Sequence, residues 1–501
     1  MIALVLALLA APTNLAAVPP DGWSASFAMS KVETPAGIDD QVGALAFLED
    51  GRLAVAFHRG EVFLRGKDGV WKQFAEGLHE PLGLLPDGKG ALLVMQRPEL
   101  TRLEDIDGDD RADRYRTVWD GFGLSGNYHE FAFGPARGPD GALYVALNLA
   151  SSGDGVFKEI RGAWSDIGKA DRAQMTTGKG FASKLAGRMY SRVPFRGCVM
   201  RLPDGGKGPA ELFATGFRSP DGIGFDGQGR LLINDNQGDW RGSSPLQVVT
   251  KGSFNGHPAS LVWTPGWNQG DPLDLPVAKL EKMRAQPAGI FVYADLSNSP
   301  TQPAVFPAAW GSLAGQVVFG EMNASRLVRF VGEDIGGVHQ GAMIPFMDTK
   351  ALRNGNHRLA FDAAGALFVG KTHLSWAGNN GIVRIDPPAK LPLLIERVRL
   401  TAEGFEVRFT RPVAAGQAAP LVRRFRYKYH SAYGSPKVDE QKLDAERATL
   451  DADGLTFRIP LAETAPGFVH EIRFTGLKGV DGAELLGPTA YYQVVKTLGT
   501  R

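Results

Sequence analysis

Four stretches of the chain carry side chains suited to chemistry. The first is DIDGDDRAD, in which Asp105, Asp107, Asp109 and Asp113 stand at positions 1, 3, 5 and 9. That spacing wraps carboxylate oxygens around a hard cation, as in an EF-hand loop, so calcium is the expected ligand and its role is to pin a loop. The run departs from the EF-hand at position 6, where Asp110 replaces glycine, and at its end, where Tyr115 and Arg116 replace a bidentate glutamate. A solvated acidic turn is the plainer alternative. The second stretch is GNYHEFAFGP, residues 126–135, with His129 between Tyr128 and Glu130. An imidazole titrates near neutrality and can take a proton from an alcohol. A lone histidine is more often structural.

The third stretch, residues 216–242, reads GFRSPDGIGFDGQGRLLINDNQGDWRG. Arg218 precedes a strand pattern, and Asn234, Asp235, Asn236, Gln237 and Asp239 follow it. Such a turn offers carbonyls to a metal and a guanidinium to an anion. The fourth comprises LRNGNHRLAFD (352–362) and GKTHLSW (370–376), with Arg353, His357, Arg358, Lys371 and His373. Basic groups from separate segments that met in one channel would hold an anionic ligand. The alternative is that they pair with nearby Asp and Glu.

These segments must be positioned by something, and a repeat supplies it. A turn rich in Asp and Gly precedes alternating apolar residues at RLAVAF, KGALLV, ALYVAL, QGRLLI, QVVFG and ALFVG. Nearly every copy is followed by a second apolar strand: EVFLR, ELTRL, CVMRL, PLQVV, SRLVRF and GIVRI. Period-2 patterning after a turn marks β-strands. The shorter spacings suit one four-stranded unit of about 40–50 residues, a unit that buries its faces only against neighbours. The expected fold is therefore all-β, a six-bladed β-propeller over 18–390 with insertions near 150–194 and 264–288. The first of these insertions is basic and reads as a loop over one face. From 391 the pattern changes to strands such as GFEVRFT, LTFRIPL and VHEIRFT, which suits an immunoglobulin-like β-sandwich over 391–501. Tyr427, Tyr429 and Tyr433 there are expected in a core or an interface.

Composition narrows the partners. Lys plus Arg is 55 and Asp plus Glu is 54, a net charge of +1, which excludes a globally basic nucleic-acid binder. One cysteine, Cys198, forms no internal disulfide, iron–sulfur cluster or haem-attachment motif. Residues 2–11, IALVLALLAA, followed by Ala16 and Ala17, read as a signal peptide over 1–17, so a periplasmic or secreted protein with no transmembrane span is expected.

Taken together, LLVMQRPELTRL, GNYHEFAFGP, ALYVALN, FRSPDGIGFD, NDNQGD, FNGHP and PAGIFVY resemble the glucose/sorbosone dehydrogenase family over about 41–386. Its best-known members are soluble aldose dehydrogenases that use pyrroloquinoline quinone (PQQ). The calcium-loop form and the long C-terminal segment look more like a membrane-bound dehydrogenase branch of planctomycete-type bacteria. The resemblance implies a carbohydrate substrate, PQQ and calcium as cofactors, and a separate electron acceptor such as a cytochrome. It implies that His129 is the base and that Arg218 polarises the quinone carbonyl. Ser219 stands where the family has Asn. Gln237 and Gly238 would supply carbonyls to the catalytic calcium. Arg358 matches one of two arginines that bind cofactor carboxylates. The other is Asn356 here, leaving Arg353 or His357 to replace it, with Lys371 a further basic candidate.

Two other readings stay open. One is a non-redox carbohydrate protein that binds, hydrolyses or eliminates, using His129, Glu130, Arg218, Asp235 and Asp239, with Trp164, Trp240, Trp267 and Trp376 as stacking surfaces. The other is an interaction scaffold whose sandwich docks a partner.

Overall fold

The computed structural model describes residues 21–151, 161–165, 189–373 and 378–498. The expected signal peptide, the larger part of the 150–194 insertion and Trp376 lie outside them.

Each repeated strand pair is the middle of four antiparallel strands; five of these sets are separate sheets, and the fifth in chain order is part of an eight-stranded sheet. In chain order the sheets are Val42–Phe47, Leu53–Phe57, Val62–Arg65 and Trp71–Ala75; then Gly83–Pro86, Ala91–Met95, Leu100–Glu104 and Arg114–Trp119; then Ala132–Arg137, Leu143–Leu147, Cys198–Leu202 and Glu211–Thr215. The fourth is Gly222–Phe225, Leu231–Asn234, Ser244–Val249 and Gly289–Phe291, and the fifth is Pro300–Val305, Val317–Glu321, Leu327–Ile335 and Val338–Phe346. The sixth takes Asn356–Phe361, Leu367–Lys371 and Ile382–Ile385, and is completed by Met29–Val32 from the other end of the chain.

The repeated turn has a local cause. At the first copy Asp50 Oδ1 accepts the Arg52 N–H at 2.9 Å, and Gly51 turns the chain at φ +85°, where a side chain would be strained. The strands it joins alternate small and branched apolar residues, and Leu53 to Phe57 are all buried because neighbouring sheets cover both faces.

The first strands of successive sheets touch in cyclic order, and the first strand of the sixth sheet returns to that of the first. This closed arrangement is consistent with a six-bladed propeller. Close approach near the axis needs glycine: a Cβ on Gly83 would lie 1.3 Å from the Gly134 carbonyl oxygen. The ring is sealed by hydrogen bonds between strands remote in sequence, with Met29 opposite Ile385 and Val32 opposite Ile382.

After residue 391 the chain forms two facing sheets. One is Ile395–Thr401, Gly404–Phe409, Thr456–Pro460 and Thr449–Leu450. The other runs Thr489–Gln493, Val469–Arg473, Leu421–Tyr427 and Lys437–Leu443, and it continues the fifth sheet, with Ala342 opposite Tyr492. Val398, Phe405, Val407, Val422, Ile472 and Tyr492 share the core between them. Strand pairing thus crosses the boundary expected at 391. The Leu327–Ile335 and Val338–Phe346 strands are nine residues each, and Val338–Phe346 forms the edge whose backbone groups Thr489–Gln493 takes up. The expected 264–288 insertion holds the short helix Val277–Met283, whose Leu280 is buried against Trp240, Phe254 and Leu261.

Val32 is buried on the closing strand while Lys31 beside it is exposed. Val32→Asp should lower the thermal midpoint by several degrees, since a buried unpaired carboxylate costs on the order of 3 kcal/mol. Lys31→Ala should change it little. Calorimetric melting of both variants checks this, and equal melting would contradict closure through this strand.

Candidate active site

His129 enters the axis from the loop before Ala132–Arg137. That loop is locked from within. The fully buried Glu130 accepts from the Ser125 N–H at 2.7 Å and from the Ser125 hydroxyl at 2.6 Å. Asn127 Oδ1 accepts from the His129 N–H at 3.0 Å. His129 Nδ1 lies 3.0 Å from the Leu149 carbonyl oxygen. A carbonyl only accepts, so Nδ1 carries the proton and Nε2 keeps its lone pair. Burial first, and the Arg218 guanidinium second, push the imidazole down to about 4. The ring is therefore neutral at pH 7.

Arg218 and Ser219 are held by one carboxylate. Asp235 accepts from the Arg218 N–H at 2.8 Å and the Ser219 N–H at 2.6 Å, and also from Arg241 Nε at 2.9 Å. Asp239 takes the Arg218 side chain, with Nε to Oδ1 at 2.9 Å, while its Oδ2 meets His257 Nε2 at 3.0 Å and the Met189 N–H at 2.8 Å. Burial raises the Asp239 carboxyl, but His257 and Arg218 outweigh it and hold the group well below the usual carboxylate range. Gly238 between them is compelled, because a Cβ there would lie 1.9 Å from Arg218 Nε.

The sixth-sheet basic residues meet a third carboxylate, Asp221. His357 Nε2 lies 3.3 Å from Asp221 Oδ1, and its Nδ1 lies 3.1 Å from the Val42 carbonyl oxygen. Arg358 ion-pairs with the same oxygen at 3.4 Å, donates Nε to the Gly43 carbonyl at 2.9 Å, and lies over the Phe133 ring. His58 stacks on His357 with ring centres 5.9 Å apart. Lys371 turns away. Its Nζ donates to the carbonyls of Arg353 and Asn354 and to Asn356 Oδ1, and burial lowers it to about 7. Arg353 is exposed and bonds Asn379.

A cavity at the axis is lined by His129, Asn148, Ser219, Asp221, Asn236 and His357 among others. Its free volume is about 30 Å³, room for about two water molecules. His129, Ser219 and His357 thus share one space, with Arg218 and Arg358 in the layer behind. Lys371 and Arg353 are not brought to it. The expectation that basic residues converge on an anion is corrected, because the Arg218 and Arg358 guanidinia are paired with Asp239 and Asp221 while Arg353 and Lys371 lie elsewhere. Asp221, Asn148 and His257 gained no role from the sequence. Asp221 sits in the quoted FRSPDGIGFD run, but an Asp before Gly reads as a turn residue.

The residues expected to hold calcium fall in two places. Gly238 offers its carbonyl to the Gly434 N–H at 2.9 Å, and Gln237 donates Nε2 to the Gly242 carbonyl at 3.1 Å. Their loop is thus tied to the C-terminal region, where the Tyr433 ring lies 5.3 Å from the Arg218 guanidinium. In the acidic run, oxygens of Asp105, Asp107 and Asp109 lie within 4.8 Å of one another. Asp113 is not with them; its Oδ2 accepts the Ile106 N–H at 2.7 Å. Asp110, at the glycine position, adopts φ +70° and pairs with Arg52 and Lys72.

A domain of unknown function, DUF7133, matches residues 66–240. No curated protein matches the chain. Among solved structures it is distantly similar to sugar dehydrogenases. An oxidoreductase described as a glucose dehydrogenase from Thermus thermophilus is 18% identical, covering 72% of this chain and 99% of that one, with a TM-score of 0.49. The PQQ-bound aldose sugar dehydrogenase of Streptomyces coelicolor is 15% identical, covering 73% and 99%, with a TM-score of 0.45. The PQQ domain of pyranose dehydrogenase from Coprinopsis cinerea is 11% identical, covering 73% and 96%, with a TM-score of 0.47. Among the described residues no helix is long and apolar enough to cross a membrane.

PQQ itself does not fit this arrangement. It is a tricarboxylate, and Arg218 and Arg358 are neutralised by Asp239 and Asp221, while Lys371 is spent on backbone and amide oxygens. A third carboxylate beside Asp221 would be repelled.

The buried histidines make stability pH-dependent. His129 is held at about 4 against an ordinary 6.5, and His257, His357 and His58 are lowered in the same direction. The unfolded chain binds these protons more readily, so stability is full above about 6.5 and falls as pH drops toward 4. Urea midpoints at pH 7.5, 6 and 5 should decline in that order, and a flat profile would contradict neutral buried imidazoles.

Proposed function

We propose that the chain is a carbohydrate-hydroxyl oxidoreductase of the sugar dehydrogenase type, acting outside the cytoplasm. The observation that carries it is the His129 imidazole, fixed by Leu149 with an unprotonated Nε2 on a cavity of hydrogen-bonding side chains. A sugar hydroxyl reaching that cavity gives its proton to Nε2. Leu149 holds the ring orientation and tautomer, while Asn148 and Ser219 offer polar contacts to the neighbouring hydroxyls. Hydride from the same carbon leaves to a diffusible uncharged quinone, so the sugar carbon becomes a carbonyl and the quinone, with the proton first taken by Nε2, becomes the hydroquinone.

Purified protein with a panel of aldoses and an artificial electron acceptor should reduce the dye. His129→Gln should cut the rate by about 10²–10⁴, the usual worth of a positioned base. Because the base is neutral above about 4, the rate should have no acid limb from His129 between pH 5 and 8. Added PQQ with calcium should leave the rate unchanged; a tenfold rise would restore PQQ as the cofactor. The charge-balanced cavity also favours a second reading, a non-redox carbohydrate enzyme. Oligosaccharide cleavage without any acceptor, lost in His129→Gln, would replace the first reading with it.

Calcium is proposed at Asp105, Asp107 and Asp109 as a pin for the loop between the third and fourth strands of the second sheet. Millimolar calcium should raise the melting midpoint by a few degrees, and Asp107→Asn with Asp109→Asn should abolish the rise. No shift in the unsubstituted protein would remove the site.

A further inference from the structure

We infer that the crevice between the fourth sheet and the C-terminal sheet is a second binding site, for a small hydroxylated anion such as a sugar acid. It shares no lining residue with the His129 cavity and has a free volume of about 80 Å³, room for about five water molecules. On one side stand Gln247, from Ser244–Val249, and Arg284. On the other stand Arg426, Tyr427, Lys428 and Tyr429, at and beyond the end of Leu421–Tyr427.

Three observations set the ligand chemistry. Gln247 is 2% exposed, and its Oε1 has no hydrogen-bond partner. The Tyr427 hydroxyl beside it is served by the Ser243 side chain and the Tyr293 backbone. A buried acceptor left without a donor is destabilising, so Gln247 calls for a ligand that brings a hydroxyl group. The lining also contains Arg241, Arg284, Arg426 and Lys428 but no Asp or Glu. Arg241, Arg284 and Arg426 pair with Asp235, Glu281 and Asp439, none of which lines the crevice. Lys428 is exposed and makes no ion pair among the described residues, so a positive charge faces the opening uncompensated. Tyr429 is fixed by its hydroxyl, which donates to the Gly256 carbonyl at 2.5 Å, and the Arg284 guanidinium lies over its ring. Arg284 and Trp240 already pack on that ring, so Tyr429 is a fixed wall of the crevice and not a stacking surface.

A hydroxyl for Gln247 and an acid for Lys428 in a lining without Asp or Glu define one ligand class, a hydroxylated anion. The site exists only because the C-terminal sheet is joined to the fifth sheet and packs beside the fourth. Titration calorimetry of the full chain with gluconate, glucose 6-phosphate, glucose and acetate tests this. One of the two hydroxylated anions should bind at least tenfold tighter than either glucose or acetate, and whichever is tighter identifies the acid. Lys428→Glu, at an exposed position, should weaken that binding at least tenfold with an unchanged melting midpoint. Gln247→Leu should do the same, and His129→Ala should leave it intact. Equal weak binding of all four probes, or unchanged affinity in Lys428→Glu, would overturn the assignment.

Discussion

A guanidinium can be buried only beside something that replaces its water, and this constraint organises the axial face of the molecule. Arg218, Arg241 and Arg358 are 8%, 4% and 3% exposed, and each has an aspartate: Asp239, Asp235 and Asp221. Truncating one partner would strand a buried charge at a cost of about 3–5 kcal/mol. The pairs therefore fix the loops that carry them. Asp235 bonds the Arg218 and Ser219 backbone as well as the Arg241 side chain, so one carboxylate sets the entry to the fourth sheet. Asp221 joins that sheet's entry to the sixth sheet and, through Arg358 and His357, to backbone carbonyls of the first.

Charge balance has a chemical consequence. A face on which Arg218, Arg241 and Arg358 are each paired with an aspartate attracts a neutral polyol more readily than a polyanion. His129 lines the cavity, and its neutrality is kept by burial and by the nearby guanidinium. The C-terminal region adds to this face. Gly434 and His430 bond the backbone of Gly238 and Trp240, and Tyr433 covers the Arg218 guanidinium. The two facing sheets beyond residue 391 are continuous with the ring through hydrogen-bonded strands, and Phe425, Val469 and Tyr491 share a core with Phe291 and Phe330.

Much of the architecture was legible because its signal is local. The turn at Asp50–Gly51 and the alternating run after it are set by backbone conformation and side-chain period, so six strand pairs could be read directly. The outer strands were less legible. Arg114–Trp119 is largely exposed and Gly289–Phe291 is three residues long, so neither has a periodic signature. The closing strand Met29–Val32 has a buried partner face only because Ile382–Ile385 arrives from the far end of the chain. No local pattern announces that pairing.

The candidate site divides along the same line. Residue types alone made His129, Arg218 and the acidic run worth attention, and those choices depend on intrinsic acidity, charge and ligand spacing within one segment. Which groups face one another depended on the closed ring. Folding turned Asp221 toward Arg358 and His357, sent Lys371 back onto its own loop, and set Asp113 on a backbone amide. An ion pair is decided by distances of a few ångströms between segments more than a hundred residues apart, and neither composition nor spacing contains those distances.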